Sequence, residues 1–277
     1  MHRYLLTRAD DFGSFSEANH AIRDCFTKGI LRNASLMTTT PAYAEAAAFA
    51  RDLPGLCLGL HLTLSSEWDQ VRWGPLTDPA LVPSLVDENG HFLSDPLRLH
   101  QRGVVLEEAM RELRAQLARA RADGLTIRYV DEHMGVSWIH PAGTQPRLQQ
   151  AIRAWAREEG LIFHDDVIRT DVPAVLTGLP HPFDPGAVAA RIAAIEAGVA
   201  FLVTHPAYDR GTLPRLRLRT APDMPIGGET GIRAADAAVL LDPTIRAACE
   251  RHGVTLVSYV EASHALADVG REAAAKS

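Results

Sequence analysis

Apolar positions in this chain fall in short runs separated by longer amphipathic stretches. Tyr4 to Thr7 has the character of a strand. Ser16 to Gly29 follows a helical period, with Ala18, Ala21, Ile22, Cys25 and Phe26 on one face and Ser16 where an N-cap belongs. Ala34 to Thr40 predicts a second strand. An alanine-rich helix follows Pro41, from Ala42 to Asp52, and Cys57 to Leu64 predicts a third strand after Pro54-Gly55. Val105 to Asp123 predicts a long helix closed by Gly124. Thr126 to Asp131 predicts a strand, and Arg147 to Gly160 a helix ending on that glycine. Further on, Ala200 to Thr204 and Val254 to Tyr259 predict strands, and Ile232 to Gly253 contains a helix. Strand–helix alternation of this kind implies a mostly parallel sheet with crossover helices.

One stretch breaks the alternation. Ser65 to Gly103 has no clear period and is rich in Pro, Gly, Trp and Asp. Loops of that length are usually functional, so it is expected to lie over the rim of the sheet. No repeat and no linker divides the chain, so residues 1–277 are expected to form a single domain, with a frayed tail over 271–277.

Composition narrows the function classes. Of 277 residues, 47% are hydrophobic, enough for a sizeable core. No apolar run approaches the ~18 residues of a membrane span, and the first residues are too few for a signal-peptide core, so a cytoplasmic protein is expected. The net charge of −6 argues against nucleic acid or an anionic membrane as partner. Arg111, Arg114, Arg119 and Arg121 are interleaved with acids and alanines, as on a solvated helix face. Cys25, Cys57 and Cys249 show no disulfide or metal spacing and are expected to be small buried hydrophobes.

The chemistry-bearing residues fall at strand ends, where parallel α/β folds place their sites. Asp10 and Asp11 follow the first apolar run in Ala9-Asp10-Asp11-Phe12-Gly13. Two adjacent buried carboxylates are costly without a positive partner, and a divalent metal is the usual one. A turn around Gly13 is the plainer explanation of the pair. His61, in Gly59-Leu60-His61-Leu62-Thr63-Leu64, is either a core histidine or an imidazole aimed at a strand end. In Val130-Asp131-Glu132-His133, strand alternation puts Asp131 and His133 on one side and Glu132 on the other. Asp131 would then orient His133 or face a substrate. Asp11, His61 and His133 together make a two-histidine, one-carboxylate set that leaves coordination positions open. His205, in Thr204-His205-Pro206, is a turn residue or a general acid. His2, His91, His100, His181, His252 and His264 are expected on surfaces or loops, whereas His140 and His164 lie nearer strand ends. Trp68 and Trp73, with Arg72 between them, are either buried loop anchors or a platform for a sugar ring.

The pieces Ala9-Asp10-Asp11-Phe12-Gly13, Gly59-Leu60-His61-Leu62-Thr63-Leu64, Asp131-Glu132-His133 and Thr204-His205-Pro206-Ala207, in that order, resemble the YdjC-like carbohydrate deacetylases. Leu241-Asp242-Pro243 and Val257-Ser258-Tyr259 extend the resemblance to nearly the whole chain. The resemblance implies an irregular (β/α) barrel, TIM-barrel-like with fewer than eight regular units. It implies a divalent metal, Mg2+ or Zn2+, and removal of acetyl groups from N-acetylated mono- or oligosaccharides. Carried over, Asp11, His61 and His133 are metal ligands, Asp10 is the general base and His205 the acid. Asp131, Trp68, Arg72, Trp73 and His140 are candidates for substrate contact. Members of the family follow the metal histidine with further histidines. Here Gly135 stands at the later position, and His140 is the candidate to replace it. The rival functions are a metal-dependent sugar isomerase or epimerase on the same barrel and a non-catalytic carbohydrate-binding protein. A homodimer is the default assembly for a soluble enzyme of this type.

Overall fold

The computed structural model describes residues 2–137, 147–168, 182–221 and 223–274. Its strands are Arg3–Phe12 (β1), Asn33–Leu36 (β2), Cys57–Leu62 (β3), Tyr129–Glu132 (β4), Ile162–Phe163 (β5), Gly198–Thr204 (β6) and Val254–Val257 (β7). They pair in parallel in the order β5-β4-β3-β2-β1-β6, with β7 also on β1. The sheet curls into a half-barrel with helices outside, so the expected barrel-like fold is the observed one. Because helices cover the sheet, β2 and β3 are buried along their whole length. No helix among the described residues is long and apolar enough to cross a membrane.

The helices are Ser16–Lys28 (α1), Tyr43–Arg51 (α2), Pro96–Arg102 (α3), Leu106–Ala122 (α4), Arg147–Glu158 (α5), His164–Val167 (α6), Pro185–Ala193 (α7), Gly228–Leu241 (α8), Pro243–Arg251 (α9) and Tyr259–Ala274 (α10). Several differ from expectation for local reasons. Ser16 does not cap α1; its hydroxyl donates to Glu45. The stretch before β7 is two helices, because Pro243 lacks an N–H to continue α8 and Asp242 instead caps α9 through Thr244 N. The last strand stops at Val257, and Tyr259 opens α10, which reaches into the tail expected to fray. The stretch 65–103 is not wholly irregular, since it contains α3 and a short turn of 3-10 helix at Pro79–Leu81.

The longest correction is β1. It runs to Phe12, so the Asp10-Asp11 pair lies inside the strand rather than after it. Pairing with β6 continues to Ala9↔Thr204, and the register with β2 then shifts between Ala9 and Phe12. Within that irregularity Asp11 adopts φ 64, a left-handed conformation that aspartate tolerates better than most residues. Gly13 has φ 105, and a Cβ there would meet the Met37 carbonyl oxygen at 2.7 Å, so only glycine fits this turn.

β7 and β2 share one side of β1: β7 pairs with Arg3 to Leu6 and β2 from Arg8 onward. The buried Asn33 closes the split. Its Nδ2 donates to the carbonyls of Thr7 and Val257 (2.9 and 3.2 Å), and its Oδ1 accepts from Tyr259 N (2.9 Å).

Candidate active site

The carboxyl ends of β1, β3 and β4 bring Asp11, His61 and His133 together. Asp11 Oδ1 lies 3.5 Å from His61 Nε2 and 3.3 Å from His133 Nδ1. All three side chains are buried. Parallel register explains part of this: His61 sits opposite Asp131, and the chain leaves β4 one residue later. His133 is therefore not on the strand. It opens a tight 3-10 turn, His133–Gly135, in which Met134 has φ 57.

Asp131 does not orient His133, as alternation predicts, but His61. Its Oδ2 lies 3.2 Å from His61 Nδ1 and also accepts from Ser35 Oγ (3.1 Å) and Arg8 Nη1 (3.0 Å). The partner of His133 is Glu67, with Oε2 2.9 Å from Nε2. Sequence reasoning missed Glu67, Arg8 and Arg233. Arg8 stands two residues before Asp10 on β1, so alternation puts both side chains on one face, and that signal was available. Glu67 and Arg233 carried none, because one lies in an aperiodic stretch and the other on a helix far along the chain. Glu132 does face away, and its carboxylate accepts from Ser137 N (2.6 Å); burial pushes its pKa up to about 7.

Asp10 is gripped by Arg8, with Nε 2.6 Å from Oδ1 and Nη2 2.8 Å from Oδ2. Asp11 Oδ2 accepts from Arg233 Nη1 at 2.8 Å. His205 follows β6; its backbone N donates to Asp236 Oδ2, and its half-exposed ring holds Nε2 3.8 Å from Asp10 Oδ2. Asp10, Asp11, His61, Glu67, His133 and His205 all line one cavity of about 180 Å³. A larger groove of about 590 Å³ lies at the opposite, amino-terminal ends of β2 to β4, and no histidine lines it.

Charge decides the character of the site. Four buried carboxylates, Asp10, Asp11, Glu67 and Asp131, face two buried guanidinium groups, Arg8 and Arg233. Burial alone would raise the Asp11 pKa, but Arg233 and the two imidazoles hold it well below the usual carboxylate range. Burial alone would depress both histidines. The carboxylates outweigh it, pushing His61 up to about 10, mainly through Asp131 and Asp10, and His133 up to about 9, mainly through Glu67. The surrounding carboxylates thus favour positive charge on the two rings.

The residues fit a divalent cation. Asp11 Oδ1 is buried and accepts no hydrogen bond, and the three donor atoms all lie within 4.8 Å of one another. Asp10, His61 and Asp131 also cluster, and Asp131 Oδ1 is likewise without a hydrogen-bond partner, but Arg8 occupies both oxygens of Asp10 and Asp131 Oδ2 already meets three donors. Asp11, His61 and His133 are the better-prepared set.

The tryptophans are buried. Trp68 is 1% exposed, edge-on to Phe15 and beneath the Arg233 guanidinium. Trp73 is 3% exposed, and its Nε1–H donates to Ser65 O at 2.7 Å. Both anchor the stretch after β3, and neither presents an open face for a sugar ring. Arg72 pairs with Asp87 (2.6 Å) within the same stretch. His140 lies outside the described residues. His164 is not at the cavity; its Nδ1 lies 2.6 Å from the Tyr259 hydroxyl and 3.2 Å from Arg8 Nη1. All three cysteines are buried and free.

Fold and site together define an α/β half-barrel protein with a two-histidine, one-carboxylate cluster at its strand ends. The chain belongs to the YdjC-like protein family, whose model matches residues 4–251. It is 31% identical to a carbohydrate deacetylase of Geobacillus stearothermophilus, over 94% of this chain and 98% of that one. It is 26% identical to the chitooligosaccharide deacetylase of Serratia marcescens, over 94% and 99%. In fold it is similar to the crystal structure of a putative cellobiose-phosphate cleavage protein from Enterococcus faecalis. The TM-score is 0.74 at 24% identity, covering 94% of this chain and 99% of that one.

Proposed function

We propose that this protein is a metal-dependent hydrolase that removes acetyl groups from N-acetylated mono- or oligosaccharides. The observation that carries the reading is Asp11 Oδ1: a buried carboxylate oxygen without a hydrogen-bond donor, flanked by two imidazole nitrogens. The Geobacillus and Serratia relatives, a carbohydrate deacetylase and a chitooligosaccharide deacetylase, support the acetyl–amide chemistry. Two imidazole nitrogens and one carboxylate oxygen suit Zn2+ or a neighbouring first-row ion better than Mg2+, which prefers oxygen ligands. Asp11, His61 and His133 would hold the divalent ion, which would supply Lewis acidity toward an amide carbonyl and a nearby water.

The remaining work falls to side chains. Asp10 takes a proton from the attacking water as its oxygen bonds to the acetyl carbon. Arg8 holds that carboxylate in place through both oxygens. His205, half exposed at the cavity and 3.8 Å from Asp10, delivers a proton to the sugar nitrogen as the carbon–nitrogen bond breaks. An amine leaves poorly as an anion, so the acid is needed. The products are acetate and the free amino sugar. The test is acetate release from a panel of N-acetylated mono- and oligosaccharides by metal-loaded protein. Acetate from at least one sugar, abolished by a chelator, is expected. Inactivity across the panel contradicts the proposal.

A further inference from the structure

The two imidazoles face Asp11 through different nitrogens. His61 turns Nε2 to Asp11 and Nδ1 to Asp131, whereas His133 turns Nδ1 to Asp11 and Nε2 to Glu67. The two outer carboxylates stand on different supports. Asp131 belongs to β4 and lies in register with His61. Glu67 lies outside any regular element, in a stretch zipped to residues 217–219. Arg219 N donates to Glu67 O (2.7 Å), and Asp69 N donates to Arg217 O (3.0 Å). Arg217 N donates to Asp69 Oδ1 (3.0 Å), and Trp68 and Leu218 form an antiparallel bridge. Leu218 also lines the cavity.

We propose that Glu67 is a positioning residue: its carboxylate accepts the Nε2–H of His133, leaves the Nδ1 lone pair facing Asp11, and so ties ion affinity to the pairing of two loop segments. The inference rests on the ion-binding reading of the site. A ligand nitrogen must carry a lone pair, so the other ring nitrogen carries hydrogen and, when buried, needs an acceptor. Glu67 supplies it, and its charge makes the imidazole a stronger donor to a cation. Pairing of the segments uses the backbone of residue 67, which any side chain keeps. The carboxylate and the pairing can therefore be varied separately.

The experiment is Zn2+ titration against a chromogenic chelator, with thermal unfolding measured alongside, on wild type, Glu67→Ala, Glu67→Gln and Arg219→Pro. Glu67→Ala is expected to weaken Zn2+ by about 10–100-fold. Glu67→Gln, nearly isosteric, keeps an acceptor oxygen without the charge; it is expected to weaken Zn2+ less, and it carries the test if the alanine variant does not fold. Arg219→Pro keeps the carboxylate but removes the N–H that pairs residue 67, and is expected to weaken Zn2+ as well. Wild-type affinity in folded Glu67→Ala overturns the positioning role. Wild-type affinity in Arg219→Pro overturns the coupling to segment pairing. A wild type that takes up no Zn2+ fails at the ion-binding reading, a distinguishable result, and the inference falls with it.

Discussion

Arg8 closes a two-pronged grip on Asp10, at 2.6 and 2.8 Å, and the same guanidinium reaches Asp131 at 3.0 Å. One buried cation therefore holds both the proposed base and the carboxylate behind His61. Lysine keeps the charge but not the planar fork. Arg8→Lys is expected to fold and to lose at least about tenfold in kcat. Arg8→Ala strands two buried carboxylates and is expected to lose about 3–5 kcal/mol of stability. Urea unfolding and steady-state kinetics check both; wild-type kcat in Arg8→Lys would show that the fork is dispensable.

Asp10 and Asp11 are adjacent yet should fail differently. Asp10→Asn leaves the three ligand atoms intact, so metal uptake is expected to stay within a few-fold of wild type while kcat drops by about 10²–10⁴. Asp11→Asn is expected to lose metal uptake itself. Calorimetry and turnover on the same preparations separate the two. Equal metal loss in both variants contradicts the division of labour.

His205 should matter in proportion to how badly the leaving group leaves. His205→Gln is expected to lose about 10²-fold or more on an N-acetyl sugar but far less on an aryl acetate, whose phenolate needs no proton. Equal losses on both substrates would assign His205 to binding rather than proton delivery.

Away from the cavity, His164 gives a pH prediction. Burial, reinforced by Arg8, depresses its pKa to about 3, against roughly 6.5 in an unfolded chain. Between those values the unfolded chain binds a proton that the folded chain refuses. This contribution to stability is present above roughly pH 6.5 and is lost as pH falls toward 3. One such group contributes at most about 1.4 kcal/mol per pH unit. His164→Gln should flatten the acid side of the stability profile, read as urea midpoints between pH 7 and 4.5. Parallel profiles for variant and wild type rule the effect out.

Trp73 tests anchor against platform. Trp73→Phe removes the donor to Ser65 O and is expected to cost about 1 kcal/mol with KM unchanged. A large rise in KM at unchanged stability would return Trp73 to the substrate.

What the sequence made legible has physical limits. Strand–helix alternation and glycine and proline punctuation revealed a parallel sheet with crossover helices, because they are local signals; its barrel-like curl was implied only by the family resemblance. The proposed ligand cluster was legible because Asp11, His61 and His133 each lie in or close behind an apolar run. Alternation puts Asp131 on the side of His133 because it assumes the strand continues, whereas the chain turns at His133. Its true partner, His61, is set by register between β3 and β4, which no local pattern encodes. Glu67 and Arg233 were invisible for the same reason: each reaches the site across a long sequence separation. For Trp68 and Trp73 the sequence leaves buried anchor and sugar platform open, and only the folding of the loop back over them shows that both are buried.

The most direct test of the central claim is acetate release, measured as metal-stripped protein is titrated with Zn2+ in the presence of an N-acetylated oligosaccharide substrate. Activity should rise from near zero and saturate at one ion per chain, and the Asp11→Asn variant should stay near zero throughout. Full activity in exhaustively stripped protein, or undiminished activity in Asp11→Asn, would contradict it.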